Sequence, residues 1–258
     1  MSEDQQTQEE TGSTIFDHIN ELKKRVGFAL LILFIGTIAA YFFVQPIFDF
    51  IIAPLAKAMG EESTNRLIYT HLAEGFFTSV KLAFFTSLYL TMPLWLIQIW
   101  RFVAPGLYRN EKKAMLPFFI ATPVLFYLGG ALVYYLVMPF AWEFFLSFQT
   151  GFQETTLPIQ LEARISDYLS LIITFVFAFG FCFELPILLG LLGHAGIINK
   201  GQLKSGRRYA ILLAFILGAF LTPPDVISQI TLAGAILILY EITILFMPQT
   251  SPKEELAA

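Results

Sequence analysis

The composition of this 258-residue chain is that of an integral membrane protein. Hydrophobic side chains make up 56% of the residues and charged ones only 14%, whereas soluble domains carry about 25% charged residues. The net charge of −4 argues against nucleic acid as a partner. A single cysteine, Cys182, excludes an intrachain disulfide and a thiolate metal cluster.

The N-terminal part of the chain changes from polar to apolar in three steps. Residues 1–13 are acidic and nearly free of apolar side chains, which predicts a disordered tail. Over residues 14–25, apolar positions recur at helical spacing with polar ones opposite, which predicts an amphipathic helix on the membrane surface. The first membrane span is predicted to follow over about residues 26–44.

Further apolar stretches predict membrane spans at about residues 75–100, 115–138, 166–192, 209–221 and 226–245. With the first span they predict an all-α membrane protein, whose six transmembrane helices form a domain over residues 14–247, followed by a tail over residues 248–258. Long connections are predicted at residues 46–72 and 139–166, and compact basic loops at residues 101–114 and 193–208.

The last two spans are shorter than a bilayer requires. Residues 209–221 cover only about 20 Å of helix, and only 15 residues from Val226 onward precede another acid, Glu241, whereas the hydrocarbon core is ~30 Å thick. We therefore expect the membrane to be thinned around this pair of helices.

The distribution of basic residues predicts the orientation. Twelve Lys and Arg residues fall on the side of the two termini and three on the other side. The positive-inside rule therefore places both termini in the cytoplasm.

Glu184 is the only acidic or basic residue between Leu169 and Leu192. A carboxylate at the centre of a membrane helix costs about 2.5–3.5 kcal/mol, so the group is expected to face a wet groove, find a partner or stay protonated. Lys81 lies too near its helix end to pair with it. We favour a groove open to a helix of a second polypeptide; the alternative is a hydrogen bond that serves packing alone. Pro186 predicts a kink beside the acid.

Two further acids, Glu21 and Glu111, are embedded in basic sequence. They either balance nearby Lys and Arg residues or jointly hold a cationic ligand. Because carboxylates match the planar guanidinium group, an arginine-bearing peptide would suit them.

The sequence holds no nucleophile elbow, no phosphate-binding glycine loop and no His/Glu metal motif, so we predict neither enzymatic activity nor a cofactor. One alternative function is an ion-coupled secondary transporter with Glu184 as its proton carrier. Such transporters usually have two matching halves, which the unequal spans and loops here do not suggest. A passive scaffold for other membrane proteins would fit the apolar surface but would leave the acids unexplained.

Four separated motifs resemble those of the TatC family, the core membrane subunits of twin-arginine protein translocases. They are HINELKKR at 18–25, FVAPGLY at 102–108 followed by EKK at 111–113, AFGFCFELP at 178–186, and TPPDVISQ at 222–229. The resemblance implies a concave bundle that acts as a receptor for the signal peptides of folded proteins. It implies that Glu21 and Glu111 bind the consecutive arginines, in a patch shaped by Phe102, Pro105, Leu107 and Tyr108.

The resemblance also implies partners in the membrane. TatA and TatB, subunits with single membrane helices, would dock inside the concave face and along the short fifth and sixth helices. The predicted docking residues are Glu184, Phe220, Leu221, Gln229, Pro54 and Asp225. The family further implies several copies in one assembly, the bacterial inner membrane as location, and the proton-motive force rather than a nucleotide as the energy source.

Overall fold

The computed structural model describes residues 3–60, 66–107, 112–151, 162–194, 197–222 and 226–247. Its helices are α1 (Glu3–Phe42), α2 (Val44–Met59), α3 (Glu74–Leu107), α4 (Lys112–Leu132), α5 (Met138–Gly151), α6 (Ile165–Cys182), α7 (Leu185–His194), α8 (Lys200–Leu221) and α9 (Val226–Phe246). A π-helical turn, Val133–Val137, joins α4 to α5. The short strands β1 (Leu67–Ile68) and β2 (Ala163–Arg164) pair in parallel. We call the end of the bundle that holds them the β end.

The predicted all-α membrane class is confirmed. Five stretches of the described chain are long and apolar enough to cross a membrane: 23–42, 74–99, 120–148, 165–193 and 226–246. Helix α8 reaches 22 residues, but only its second half is apolar. The arrangement is consistent with six membrane helices, of which α8 has the shortest apolar part.

The beginning of the chain differs from the prediction. Helix α1 is continuous from Glu3 to Phe42, so residues 3–13 of the predicted disordered tail are helical, and residues 14–25 do not form a separate surface helix. Residues 3–10 are rich in Glu and Gln, which are good helix formers. Extending an existing helix needs no new nucleus, and acids are favourable near a helix N-terminus.

The two long connections also contain more helix than predicted. Residues 44–59 form α2, and the third span continues through the π-helical turn into α5, up to Gly151. The loop predicted at 139–166 is therefore helical over its first part. The predicted basic loops are shorter as well, because α3 extends to Leu107 and α8 begins at Lys200.

Helix α2 is held against the bundle by two tyrosines. The Tyr168 hydroxyl donates to the Ile51 carbonyl oxygen at 2.7 Å. The Tyr134 hydroxyl donates to the Phe50 carbonyl oxygen at 2.8 Å. Leu55 is 2% exposed in the core beneath α2. These contacts fix α2 over the π-helical turn and the β end of α6.

Glycines let the long helices approach closely. A Cβ atom on Gly129 of α4 would lie 2.8 Å from the Phe179 carbonyl oxygen of α6. Between α1 and α3, Gly36 faces Ser87, whose hydroxyl donates to the Leu33 carbonyl oxygen at 3.0 Å. The hydrophobic effect cannot drive helix association within lipid. Small residues at such crossings instead let the backbones approach closely, so that van der Waals packing holds the helices together.

Candidate functional site

At the kink predicted beside Pro186, the helix is interrupted for two residues between α6 and α7. Helix α6 ends at Cys182, α7 begins at Leu185, and Glu184 lies in the break. Its backbone N–H donates to the Phe181 carbonyl oxygen at 3.0 Å, in the tighter pattern of a helix end. Proline has no N–H to donate and crowds the preceding turn, which explains the position of the break.

The side chain of Glu184 is buried and unpaired. The residue is 6% exposed, and neither carboxyl oxygen has a hydrogen-bond partner within the described residues. The Thr122 hydroxyl lies beside the carboxyl group but donates to the Phe118 carbonyl oxygen at 3.0 Å. Lys81 donates instead to the Ser170 hydroxyl at 2.7 Å.

This environment differs from both sequence interpretations. The carboxyl group is not open to a groove in the isolated chain, and no interhelical hydrogen bond uses it for packing within the described part. A buried polar group without a partner is costly. Glu184 is therefore a strong hydrogen-bonding group without a partner among the described residues, at the interruption of the 29-residue apolar segment 165–193.

Three other predicted docking residues, Phe220, Leu221 and Gln229, lie far from Glu184. Phe220 is 87% exposed near the end of α8, and Leu221 is half-buried beside it. In α9, the side chain of Gln229 packs on Gly218, and its Nε2 donates to the Phe215 carbonyl oxygen at 3.2 Å. These residues belong to the β end of the bundle, whereas Glu184 follows about 28 Å of helix that begins there.

Two predicted docking residues remain, Pro54 and Asp225. Pro54 is half-buried within α2, and Asp225 lies outside the described residues. The structure therefore divides the predicted docking set between at least two places rather than gathering it in one pocket.

The backbones of residues 21 and 102, from two of the predicted peptide-binding segments, lie toward the end opposite the β end. Helices α1 and α3 are antiparallel neighbours that touch at Gly36 and Ser87. Residue 21 lies about 22 Å along α1 from Gly36, and residue 102 lies about 22 Å along α3 from Ser87, in the same direction. The two backbones thus reach the same level.

Part of the predicted peptide site is not described. The side chains of Glu21, Phe102, Pro105 and Leu107 lie outside the described part, although their backbones belong to α1 and α3. Tyr108 and Glu111 lie outside it entirely. The joint role of the two acids stays a prediction.

An ion pair at the β end is a feature that the sequence did not indicate. Arg164 Nε donates to Glu74 Oε1 at 2.8 Å, and Arg164 Nη2 donates to Glu74 Oε2 at 3.1 Å. The backbone N–H of Thr70 also donates to Oε2, at 2.8 Å. The hydrogen bonds that Arg164 donates to the Glu74 carboxylate raise the pKa of the Arg164 guanidinium above its ordinary value. The pair joins the start of α3 to β2. Because the two residues are 90 positions apart in the chain, no local sequence pattern could indicate that they interact.

The helices also enclose an apolar cleft of about 530 Å³, near the β end. It lies between α2, α3, α4, the π-helical turn and α6, and Phe50, Tyr89 and Tyr134 are among its lining residues. Within the described residues, no three His, Cys, Asp or Glu side chains are grouped so that they could hold a metal ion.

Long apolar helices, close glycine crossings and a buried acid at a helix break define a multi-pass α-helical membrane protein with an internal polar site. Residues 17–234 match the family model described as TatC, Sec-independent protein translocase protein. The chain belongs to the TatC family, which confirms the resemblance seen in the four motifs.

Curated relatives and solved structures agree with this assignment. The chain is 44% identical to the Sec-independent protein translocase protein TatC of Magnetococcus marinus, over 92% of this chain and 84% of that protein. It is 36% identical to that of Escherichia coli strain K12, over 90% of this chain and 87% of that protein.

Two crystal structures of the twin arginine translocase receptor TatC are similar to the whole fold. One has a TM-score of 0.73 at 33% sequence identity, and the match covers 90% of this chain and 99% of the chain in that structure. The other has a TM-score of 0.70 at 35% sequence identity, and the match covers 88% of this chain and 96% of the chain in that structure.

Proposed function

We propose that the chain is the membrane receptor of a twin-arginine translocase, which binds the signal peptides of folded proteins before their export. The observation that carries the proposal is the similarity of nearly the whole fold to two structures titled twin arginine translocase receptor. The role is transport rather than catalysis, and the energy source is the proton-motive force rather than a nucleotide.

Glu21 and Glu111 are the proposed contacts for the arginine pair of the signal peptide. The equal rise of α1 and α3 from their Gly36–Ser87 crossing supports this pairing, because it brings the backbones of residues 21 and 102 to one level. A carboxylate accepts two parallel N–H donors from a guanidinium group. Phe102, Pro105, Leu107 and Tyr108 would supply the surrounding surface.

Partner subunits of the TatA and TatB type, each with one membrane helix, are proposed to dock at two levels of the bundle. Glu184 would receive a polar side chain from such a helix, since within the described residues its carboxyl oxygens have no partner. Phe220, Leu221 and Gln229 would form the second contact at the β end. Pro54 and Asp225 complete the proposed docking residues, and the assembled receptor would contain several copies of the chain.

The proposed location is the bacterial cytoplasmic membrane, with both termini in the cytoplasm. The relatives described above are bacterial proteins. Lys57, Arg66 and Arg164 lie toward the β end, whereas the basic residues of α1 and of the first half of α8 lie toward the other end. This asymmetry supports a periplasmic β end.

Binding of a signal peptide to the purified protein tests the receptor site. In Glu21→Gln/Glu111→Gln, the Kd of a twin-arginine peptide is expected to rise roughly tenfold or more, because each charge-assisted hydrogen bond contributes about 1.5–3 kcal/mol. A twin-lysine peptide should lose less, since lysine cannot make the forked contact.

The matched control is Glu143→Gln/Glu162→Gln, which removes two exposed acids from the part of the chain near the β end. This control should bind the twin-arginine peptide as the unaltered protein does. Unchanged affinity in Glu21→Gln/Glu111→Gln, or an equal loss in the control, would show that these acids are not the peptide site.

A further inference from the structure

The first half of α8 carries four basic residues, and two of them serve the contact with α9. Lys200 Nζ donates to the Leu245 carbonyl oxygen at 3.2 Å, at the C-terminal end of α9, where a cation is favourable. Arg207 donates to Glu241 at 2.7 Å. Both side chains therefore have a structural role in the α8–α9 pair.

The other two basic residues, Lys204 and Arg208, point away from the bundle. Both are exposed, and their spacing of four residues places them on one face of α8. Neither has a carboxylate partner in the described part of the chain. The surface between them therefore carries two positive charges that nothing described in the protein neutralises.

Tyr209 holds the Arg208 guanidinium in place. The guanidinium carbon lies 4.7 Å from the centre of the Tyr209 ring, and Nη2 donates to the tyrosine hydroxyl at 2.9 Å. A guanidinium group has five N–H donors, so most of them stay available. Tyr209 is itself 61% exposed, and tyrosine is enriched where a membrane helix passes through the lipid headgroups.

The same helix face becomes apolar within one further turn. Ile211, Leu212 and Phe215 follow Lys204 and Arg208 at helical spacing, and they are 47%, 60% and 40% exposed. Along about 16 Å of helix, the surface thus changes from two cations to an aromatic hydroxyl and then to apolar side chains. An anionic phospholipid has this order of groups, with a phosphodiester followed by hydrocarbon.

We propose that Lys204 and Arg208 form a binding site for the phosphate of an anionic phospholipid, whose acyl chain lies along Ile211, Leu212 and Phe215. The unneutralised pair of charges selects an anionic lipid over a zwitterionic one, and the forked donors of arginine match phosphate oxygens. The site depends only on the chain spanning a membrane, and not on the proposed receptor function.

Native mass spectrometry of the full-length protein with added phosphatidylglycerol or phosphatidylcholine tests this site. The unaltered protein is expected to retain phosphatidylglycerol preferentially. In Lys204→Gln/Arg208→Gln, the affinity for phosphatidylglycerol should fall roughly 25-fold, from the contribution of two basic residues near the membrane surface, and the preference should disappear. Phosphatidylcholine binding should stay unchanged.

Three matched variants sharpen the result. Lys23→Gln/Lys24→Gln removes two exposed charges from the same end of the bundle and should change retention less than twofold. The single variant Lys204→Gln should have an intermediate effect of roughly fivefold. Leu212→Gln keeps both charges but should weaken retention several-fold, because it disrupts the contact with the acyl chain.

A competition experiment separates a lipid from a free anion. Inorganic phosphate at millimolar concentration should not displace the lipid, because it cannot replace the acyl contact. Complete displacement, or an unaltered affinity in Leu212→Gln, would assign the site to a free anion and overturn the proposal. Equal losses in Lys204→Gln/Arg208→Gln and Lys23→Gln/Lys24→Gln would overturn it too, since they would indicate general charge attraction.

Discussion

Replacing Glu184 with methionine is expected to stabilise the isolated protein and to abolish its function in the cell. Both carboxyl oxygens are buried without a hydrogen-bond partner among the described residues, in a segment whose centre lies in hydrocarbon. A carboxylate there costs about 2.5–3.5 kcal/mol, and replacing a buried charge with a well-packed apolar side chain is often stabilising. Methionine is unbranched and adapts to irregular space. Part of the gain will be offset by imperfect packing, so we expect an increase of about 1–3 kcal/mol in the free energy of unfolding.

Thermal unfolding in dodecyl maltoside measures this change directly. For a chain of this size, the expected gain corresponds to a rise of roughly 3–8 °C in Tm. The matched control is Thr243→Val, because Thr243 is also buried but its hydroxyl donates to the Leu239 carbonyl oxygen of its own helix, at 2.8 Å. This control should shift the free energy of unfolding by about 0.5 kcal/mol or less.

The functional part of the prediction uses export of a reporter protein with a twin-arginine signal peptide. Glu184→Met should export little reporter even though the protein is more stable. A lower Tm in Glu184→Met than in the control would refute the reasoning, because it would show that the carboxyl group stabilises the isolated chain. Higher stability together with normal export would refute the proposed docking role.

Two other substitutions test contacts that only the structure reveals. Glu74→Gln should lower Tm, because it removes the charge that Arg164 pairs with while leaving the guanidinium at the β end. Gly129→Ala should lower the free energy of unfolding by about 1–3 kcal/mol, because the new methyl group would lie 2.8 Å from the Phe179 carbonyl oxygen and force α4 away from α6. Both are measured by the same thermal unfolding.

Each of these substitutions has a matched control. Arg66→Gln removes an exposed ion pair, in which Arg66 lies 3.8 Å from Glu162, so its effect on Tm should be much smaller than that of Glu74→Gln. Gly27→Ala adds a methyl group where no atom lies within 4 Å, so it should be neutral or slightly stabilising in mid-helix. If either pair of variants behaved alike, the corresponding contact would not contribute to stability as the geometry indicates.

The predictions that held depend on local patterns in the chain. Apolar stretches long enough for a bilayer predicted the membrane class, and Pro186 predicted a kink beside Glu184, where the structure interrupts the helix. The boundaries were less reliable. Polar, helix-forming residues before and after an apolar stretch do not show where a helix ends, so the continuity of α1 and the extension of the third span to Gly151 were missed.

By itself, the sequence determined the class of the protein and its family, because hydrophobic length and short motifs are properties of neighbouring residues. Only the tertiary structure decided which side chains meet. It paired Glu74 with Arg164 across 90 residues, enclosed Glu184 without a partner among the described residues, and left Lys204 and Arg208 exposed while α9 engaged Lys200 and Arg207. The physical reason is that burial and hydrogen bonding depend on how helices pack, and that packing is set by contacts between residues far apart in the chain.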